Sequence, residues 1–321
     1  MKALLLHAKN QLPSIGNVPP PDGTRKKIVH LKAAALNHRD VWIMKGMYPG
    51  INYPLIPGSD GTGVTEDGRE VIVQPGSGWG DDPRFQGKHY QILGLPDDGT
   101  FAECTAVEAG QLYDKPSHLT YEEAATLPLA GLTAYRVLFT RCRLLAGEKV
   151  LITGVGGGVA LFCLQFALAV GAQVFVTSGS DAKIERAISM GVTGGANYKE
   201  VDWAKRMGSM AGGFDVVIDS AGGDGFAHLV KLCNPGGRIG IYGGSKGAMH
   251  NISPQIIFWK QLSIVGSTMG NDEDFGNMLA LVNRHQIVPV VDKVYPLEEG
   301  AAAFERMEQG KQFGKIVLKI A

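Results

Sequence analysis

The sequence predicts an α/β protein of two domains, and three observations carry that prediction. At 321 residues the chain exceeds what one hydrophobic core usually spans. Its first third is cut into short, turn-rich apolar segments, whereas the stretch after about residue 120 alternates compact strands with apolar helices. Glycine, at 44 residues, has no period. It clusters at 153–158, 194–195, 212–213, 222–225, 236–237 and 243–244, at the segment junctions where tight strand-to-helix turns need it.

Between Met1 and about Ser117, residues 2–6, 27–35, 62–65, 70–74 and 100–107 read as strands separated by Pro, Gly and Asp. An irregular all-β domain fits them, with residues 76–99 as a long loop. The second part opens on the strand Glu148–Thr153, a glycine turn and the apolar helix Val159–Val170. Strand Gln173–Ser178 and helix Asp181–Met190 follow, then a short strand Ala196–Tyr198 and helix Val201–Met210. Phe214–Asp219, Gly237–Tyr242 and Leu262–Ser267 complete the strands. Nearly continuous apolar strands alternating with helices indicate a parallel sheet covered on both faces. The right-handed crossover rule makes that sheet doubly wound. The tail adds helices around Phe275–His285 and Leu297–Gln309 and a last strand, Gly314–Ile320.

Composition narrows the function classes. Lysine plus arginine and aspartate plus glutamate both total 31, so the formal net charge is zero. That argues against a broad footprint for nucleic acid or an anionic membrane. Cys104, Cys142, Cys163 and Cys233 form no Cys-x-x-Cys pair, so isolated thiols in a reducing compartment are expected. The opening Met1–Ala8 lacks a cleavage-site pattern, and no apolar run is long enough to span a bilayer. A cytoplasmic protein with no membrane partner is expected.

The glycine turn, Thr153-Gly-Val-Gly-Gly-Gly-Val-Ala160, lacks a strict Gly-x-Gly-x-x-Gly. Its register puts Gly157 at the middle glycine and Ala160 at the helix-packing position, with Gly156, Gly158 and Val159 around them. A turn between strand and helix in such a domain is where a dinucleotide pyrophosphate meets backbone N–H groups. An NAD site wants a carboxylate about 20 residues on. Residue 178, 21 positions after Gly157, is serine, with Lys183 one turn later and Tyr198 ending the third strand. A hydroxyl and a cation in place of an acid favour the 2′-phosphate of NADPH. Asp181 remains an alternative, as a helix cap or a ribose ligand. Later strand ends, Ser220–Ala221–Gly222, Gly243–Gly244–Ser245 and Ser267–Thr268–Met269, are expected to face the cofactor.

Several stretches resemble one known family: Leu36-Asn-His-Arg-Asp-Val-Trp42, Pro54-Leu-Ile-Pro-Gly-Ser-Asp-Gly-Thr-Gly63 and Ala124-Ala-Thr-Leu-Pro-Leu-Ala-Gly-Leu-Thr-Ala-Tyr135. With the glycine turn and Gly314-Lys-Ile-Val-Leu318, they make the chain similar to medium-chain dehydrogenase/reductases, specifically the zinc-free quinone oxidoreductase branch. The resemblance implies a GroES-like irregular β domain (1–122 with 268–321) around a Rossmann doubly wound domain (123–267). It also implies a homodimer pairing edge strands near Leu262–Ser267. Relatives with catalytic zinc hold it at positions that here are Asn37, Ser59 and Ala130, and their structural-zinc loop corresponds to the cysteine-free 75–99. Zinc prefers thiolate, imidazole or carboxylate, so no metal is expected. His38 is read as packing or a phosphate contact.

Without a Lewis acid to acidify an alcohol, the expected reaction is hydride transfer to an acceptor activated by conjugation, a quinone or an enone. By resemblance Asn37 reaches the substrate and cofactor, and Thr133 the nicotinamide end. Trp42 stands where relatives often place tyrosine, which removes a phenolic donor there. Tyr48 is a further pocket candidate, and Asp40 is read as bonding within its loop. Alternatives are a 2-alkenal or enoyl-thioester reductase, a crystallin-like or RNA-binding NADPH protein, or a zinc-dependent alcohol dehydrogenase.

Overall fold

The computed structural model describes all residues, Met1–Ala321, as two compact units, Met1–Leu132 with Gly270–Ala321, and Thr133–Met269. Residues 123–132, expected at the start of the doubly wound domain, group with the first unit. Hydrogen bonds explain why. Thr62 Oγ1 donates to Tyr121 O at 2.9 Å and Leu129 N donates to Asp60 Oδ1 at 2.8 Å, which ties this segment to the β domain.

The first unit centres on a seven-stranded sheet. Its order is Val291–Pro296, Lys315–Lys319, Lys27–Ala35, Asp60–Thr65, Glu70–Val73 and Leu112–Asp114, with Cys104–Val107 also paired to Lys27–Ala35. The strand Lys27–Ala35 is the hub. Near its carboxyl end Ala35 faces Val317 on one side and Asp60 on the other, both antiparallel. The chain therefore leaves this strand at Leu36 and Asn37 with the C-terminal strand on one flank and the Asp60 strand on the other. Asn37 then starts the helix His38–Met44. Asp40, at the third helical position, accepts from Asn37 N at 2.7 Å, and Asp40 N donates to Asn37 O at 2.9 Å, so the helix start is internally satisfied. Leu36, Val41 and Ile43 join Leu4, Phe101, Phe304 and Leu318 in one buried cluster. Most of the expected 76–99 loop is irregular, apart from the two-residue strands Gly76–Ser77 and Gln91–Ile92.

The second unit carries a six-stranded, all-parallel sheet. Its order is Gly194–Asn197, Gln173–Ser178, Lys149–Ile152, Phe214–Asp219, Cys233–Ile241 and Ser263–Gly266. Numbered along the chain this is 3-2-1-4-5-6, with the switch point between the first and fourth strands, so the expected Rossmann domain is present. Two strands differ in extent from the sequence reading: the third covers Gly194–Asn197 and the fifth begins at Cys233. Glycines carry no strand signal, yet a Cβ on Gly195 would lie 2.6 Å from Ile184 Cγ2. The helix Asp181–Ser189 packs too close to this strand for a side chain there.

Candidate functional site

In the second unit the site begins at the glycine turn. Val155 N bonds Thr177 O at 2.9 Å, while Gly154 and Gly156 take φ of +69° and +117°, values that favour glycine. Gly157 is the extended N-cap of the helix Gly158–Ala169 and offers no side-chain cap. The first N–H groups of the helix are thus left for a ligand or solvent. A Cβ on Gly157 would meet nothing nearer than Gly154 O at 3.9 Å, so space in front of the turn is open. Val159 is half-buried, and Ala160 is buried against the sheet.

Charge and hydroxyls gather at the end of the second strand. Ser178 is buried, its Oγ donating to Val155 O at 3.3 Å. Lys183 lies back over the turn: a Cβ on Gly156 would fall 2.8 Å from its Cδ and 3.3 Å from its Nζ. A Cβ on Gly179 would fall 2.7 Å from Tyr198 Oη and 3.0 Å from Lys199 Cε. Ser178, Lys183 and Tyr198 therefore share one rim, and Lys199, absent from the sequence reading, adds a second cation beside Gly179. Its position next to Tyr198 was the available signal. Asp181 does not cap its helix. Its Oδ1 accepts from Asn197 Nδ2 at 3.0 Å.

Two loops at later strand ends are stitched together. Ser245 N donates to Ser220 O at 3.3 Å and Lys246 N to Ala221 O at 2.8 Å. Gly243 packs on Ser220, where an added Cβ would lie 2.9 Å from the carbonyl oxygen, while Gly244 and Ser245 are exposed. Asp219, another residue the sequence reading passed over, shapes this corner. It is buried and accepts from Thr153 Oγ1 at 2.7 Å and from Gly222 N at 2.8 Å. Beyond the sixth strand, Ser267 Oγ is shielded from solvent without a hydrogen-bond partner, and Thr268 is exposed. Met269 brings its sulfur within 3.8 Å of Thr133 Oγ1.

In the first unit Asn37 sits in a buried polar knot. Its Oδ1 accepts from Lys315 Nζ at 2.6 Å and its Nδ2 donates to Asp60 Oδ2 at 2.9 Å. Lys315 Nζ also reaches Asp60 Oδ2 at 2.9 Å and Leu36 O at 2.7 Å. Burial raises the Asp60 carboxyl above its ordinary range, opposed by the Lys315 charge and by bonds from Lys315, Asn37 and Leu129. Ser59 is buried, with Oγ donating to Leu93 O at 2.8 Å, and Ala130 is buried in the helix Pro128–Tyr135. Arg39, also buried, donates to Leu95 O at 2.9 Å and stacks over Tyr48, 5.3 Å from the ring centroid. Tyr48 is thus a lid on Arg39. Trp42 is half-buried, its ring 6.3 Å from that of the exposed His38.

Residues 23–117 match the alcohol dehydrogenase GroES-like domain, and residues 158–284 match the zinc-binding dehydrogenase family. A zinc-type alcohol dehydrogenase-like protein of Schizosaccharomyces pombe is 35% identical over 94% of this chain and 93% of its own length. The chain is a medium-chain dehydrogenase/reductase. The mouse (Mus musculus) quinone oxidoreductase is 29% identical over 94% of this chain and 91% of its own length. The crystal structure of an NAD-dependent alcohol dehydrogenase superposes with a TM-score of 0.93 at 35% identity, covering 100% of both chains. The protein is thus an oxidoreductase with the pyridine-nucleotide-dependent fold of this superfamily.

Two groups that the superfamily uses can be tested against the residues present. A dinucleotide fits: the turn leaves helix N–H groups uncapped and open space before Gly157, hydroxyls and two lysines stand at the next strand end, and Ser267 Oγ waits unpaired. A zinc ion does not fit. The carbonyl oxygen of Asn37 already accepts from an ammonium, the Ser59 hydroxyl donates its hydrogen bond to the Leu93 carbonyl, and Ala130 has no donor atom. Nor is any group of three or more His, Cys, Asp or Glu side chains placed to hold a metal ion.

Proposed function

We propose that this medium-chain oxidoreductase uses NADPH to reduce a quinone or other conjugated carbonyl without a metal ion. The observation that carries the reading is the filled zinc position: Asn37 offers an amide whose oxygen is held by Lys315, Ser59 a committed hydroxyl and Ala130 a methyl group. Alcohol oxidation then lacks its Lewis acid, whereas a conjugated acceptor needs only orientation and a hydrogen bond to the oxygen that gains charge. When bound, the dihydronicotinamide supplies the hydride. Gly156, Gly157, Gly158 and Val159 receive the pyrophosphate. Ser178, Lys183 and Tyr198 hold the 2′-phosphate, a preference supported by the missing acid at 178 and by Asp181 being bonded to Asn197. Ser220, Ala221, Gly243, Gly244 and Ser245 border the cofactor farther along. Thr133, Ser267, Thr268 and Met269 serve the nicotinamide end, and Asn37 the acceptor, with Trp42 and Tyr48 shaping its surroundings.

The acceptor test is NADPH oxidation measured with quinones, enones, alkenals and enoyl-thioesters. Turnover with quinones or enones is expected. Turnover confined to enoyl-thioesters would replace the acceptor assignment, and none at all despite tight NADPH binding would end the enzymatic reading. Metal analysis of purified protein is expected to find no stoichiometric zinc. The free edge of strand Ser263–Gly266, preceded in the chain by a helix that exposes Phe258 and Trp259 at 63% and 84%, supports a homodimer built by edge pairing. Light scattering is expected to give twice the chain mass. Four free cysteines, three of them buried, support work in the reducing cytoplasm.

A further inference from the structure

Asn37 is held in a way that decides which end of its amide is available. The register of the sheet places Lys315 and Asp60 on opposite flanks of the chain at residues 36 and 37. Both charged side chains are sealed, at 4% and 0% exposure. The ammonium has three hydrogens and finds three acceptors: Leu36 O, Asn37 Oδ1 and Asp60 Oδ2, at 2.7, 2.6 and 2.9 Å. Asp60 takes Asn37 Nδ2 on the same oxygen and Leu129 N on the other.

An asparagine amide can usually be turned over with little change of shape. Here turning it would set NH₂ against an ammonium and oxygen against a carboxylate. Only one orientation is electrostatically tolerable. In that orientation one Nδ2 hydrogen goes to Asp60 and the second has no acceptor in the protein. The ammonium on the amide oxygen also draws electron density from the nitrogen, which strengthens the remaining N–H as a donor.

We propose that Lys315 is a positioning residue that fixes Asn37 as a hydrogen-bond donor toward the acceptor oxygen. The inference rests on the reading that the enzyme reduces a conjugated carbonyl. Hydride adds to the conjugated carbon, the displaced π pair moves onto the oxygen, and that oxygen then takes a proton from water. A donor at Asn37 stabilises the charge during transfer, and a carbonyl turned the same way would repel it.

The test uses Lys315→Met combined with Asp60→Asn, which removes both charges together and leaves no lone buried ion. An asparagine at 60 offers both donor and acceptor, so Asn37 loses its enforced sense. With the acceptor that the wild-type enzyme reduces, kcat is expected to fall at least tenfold, with KM and NADPH affinity within twofold. Adding Asn37→Ala to the pair should change kcat less than twofold further. Undiminished kcat in the pair, or an independent full loss on adding Asn37→Ala, would overturn the proposal. A second arm needs no turnover. The Asn37 Nδ2 signal, assigned by its loss in Asn37→Ala, should show two sharply inequivalent protons that become similar in the charge-free pair. If they stay as inequivalent as in the native protein, the orientation does not depend on Lys315, whatever the enzyme reduces.

Discussion

Lys183 and Lys315 are both cations set beside backbone, and they differ in what surrounds them. Lys183 is half-buried, draped over the glycine turn at Gly156 with its ammonium at the rim of the second unit. Lys315 is sealed inside the first unit with three acceptors on its three hydrogens. A rim charge keeps much of its hydration, so holding it there costs little. A buried charge costs more, because desolvation must be met by partners during folding. Lys183 is therefore suited to binding and Lys315 to holding. Removing each should damage a different property.

The largest effect is expected at the buried cation. Lys315→Met leaves Asp60 without its counter-charge and should cost about 3–5 kcal/mol of stability, the usual toll for half of a broken buried pair. Chemical denaturation would measure it, and restoring a neutral site with Asp60→Asn should recover most of the loss. A cost below about 1 kcal/mol for the single variant would mean that water reaches Asp60 and that the contrast between the two lysines is false.

Asp40 offers a finer cut at the same knot. It is fully buried, one oxygen has no partner, and burial pushes its carboxyl up to about 6, with Asp60's charge adding to the rise. The Asn37 N–H bond and the charges of Arg39 and Lys315 oppose it. A folded-state value above the unfolded one means the folded protein binds the extra proton between about pH 4 and 6. This group's contribution is therefore full at low pH and is lost as pH rises through 6. Asp40→Asn keeps an acceptor for Asn37 N and removes the titration. It should gain on the order of 1–3 kcal/mol relative to wild type at pH 8 and nothing at pH 4. A gain independent of pH would break the assignment.

The two regions also differ in how far the sequence revealed them. Strands buried on both faces must be apolar throughout, so Gln173–Ser178 and Phe214–Asp219 were legible to the residue. The third strand was blurred because helix packing demanded Gly194 and Gly195, which look like a turn. Ser178, Lys183 and Tyr198 could be brought together because each hangs from a neighbouring strand end of one known topology. The knot around Asn37 was different. Asn37 and Lys315 are 278 positions apart, and only the register of an antiparallel sheet brings them together. No local pattern carries that. The helix His38–Met44 escaped too, since seven residues show barely two turns of period, although Asn37 with Asp40 spelled its start.

At the rim, Lys183→Ala should leave folding nearly untouched and weaken NADPH by roughly 10- to 30-fold, the loss of about 1.5–2 kcal/mol for a charge-assisted phosphate contact. NADH, which has no 2′-phosphate, should change less than about twofold. Fluorescence titration of the two cofactors separates the outcomes. Equal losses for both would move Lys183 from the 2′-phosphate to the pyrophosphate, which both cofactors share.

The smallest effect is expected at Lys199, where the contrast between rim and interior is most easily blurred. Its Cε approaches the backbone of Gly179 beside Tyr198 Oη, yet the residue as a whole is exposed. An exposed ammonium acts on a phosphate through water and counter-ions, so its share is about 0.5–1 kcal/mol, or roughly two- to fivefold in NADPH affinity. Salt provides the discriminating measurement. If Lys199 works only as a screened charge, the difference between Lys199→Ala and wild type should shrink as ionic strength rises from about 0.01 to 0.5 M, while the Lys183 effect persists in part. If the two lysines lose their effects in parallel, both are screened surface charges, and the half-buried seat of Lys183 confers nothing. If Lys199→Ala matches Lys183→Ala at every salt concentration, the 2′-phosphate sits between the two lysines and not over Gly156.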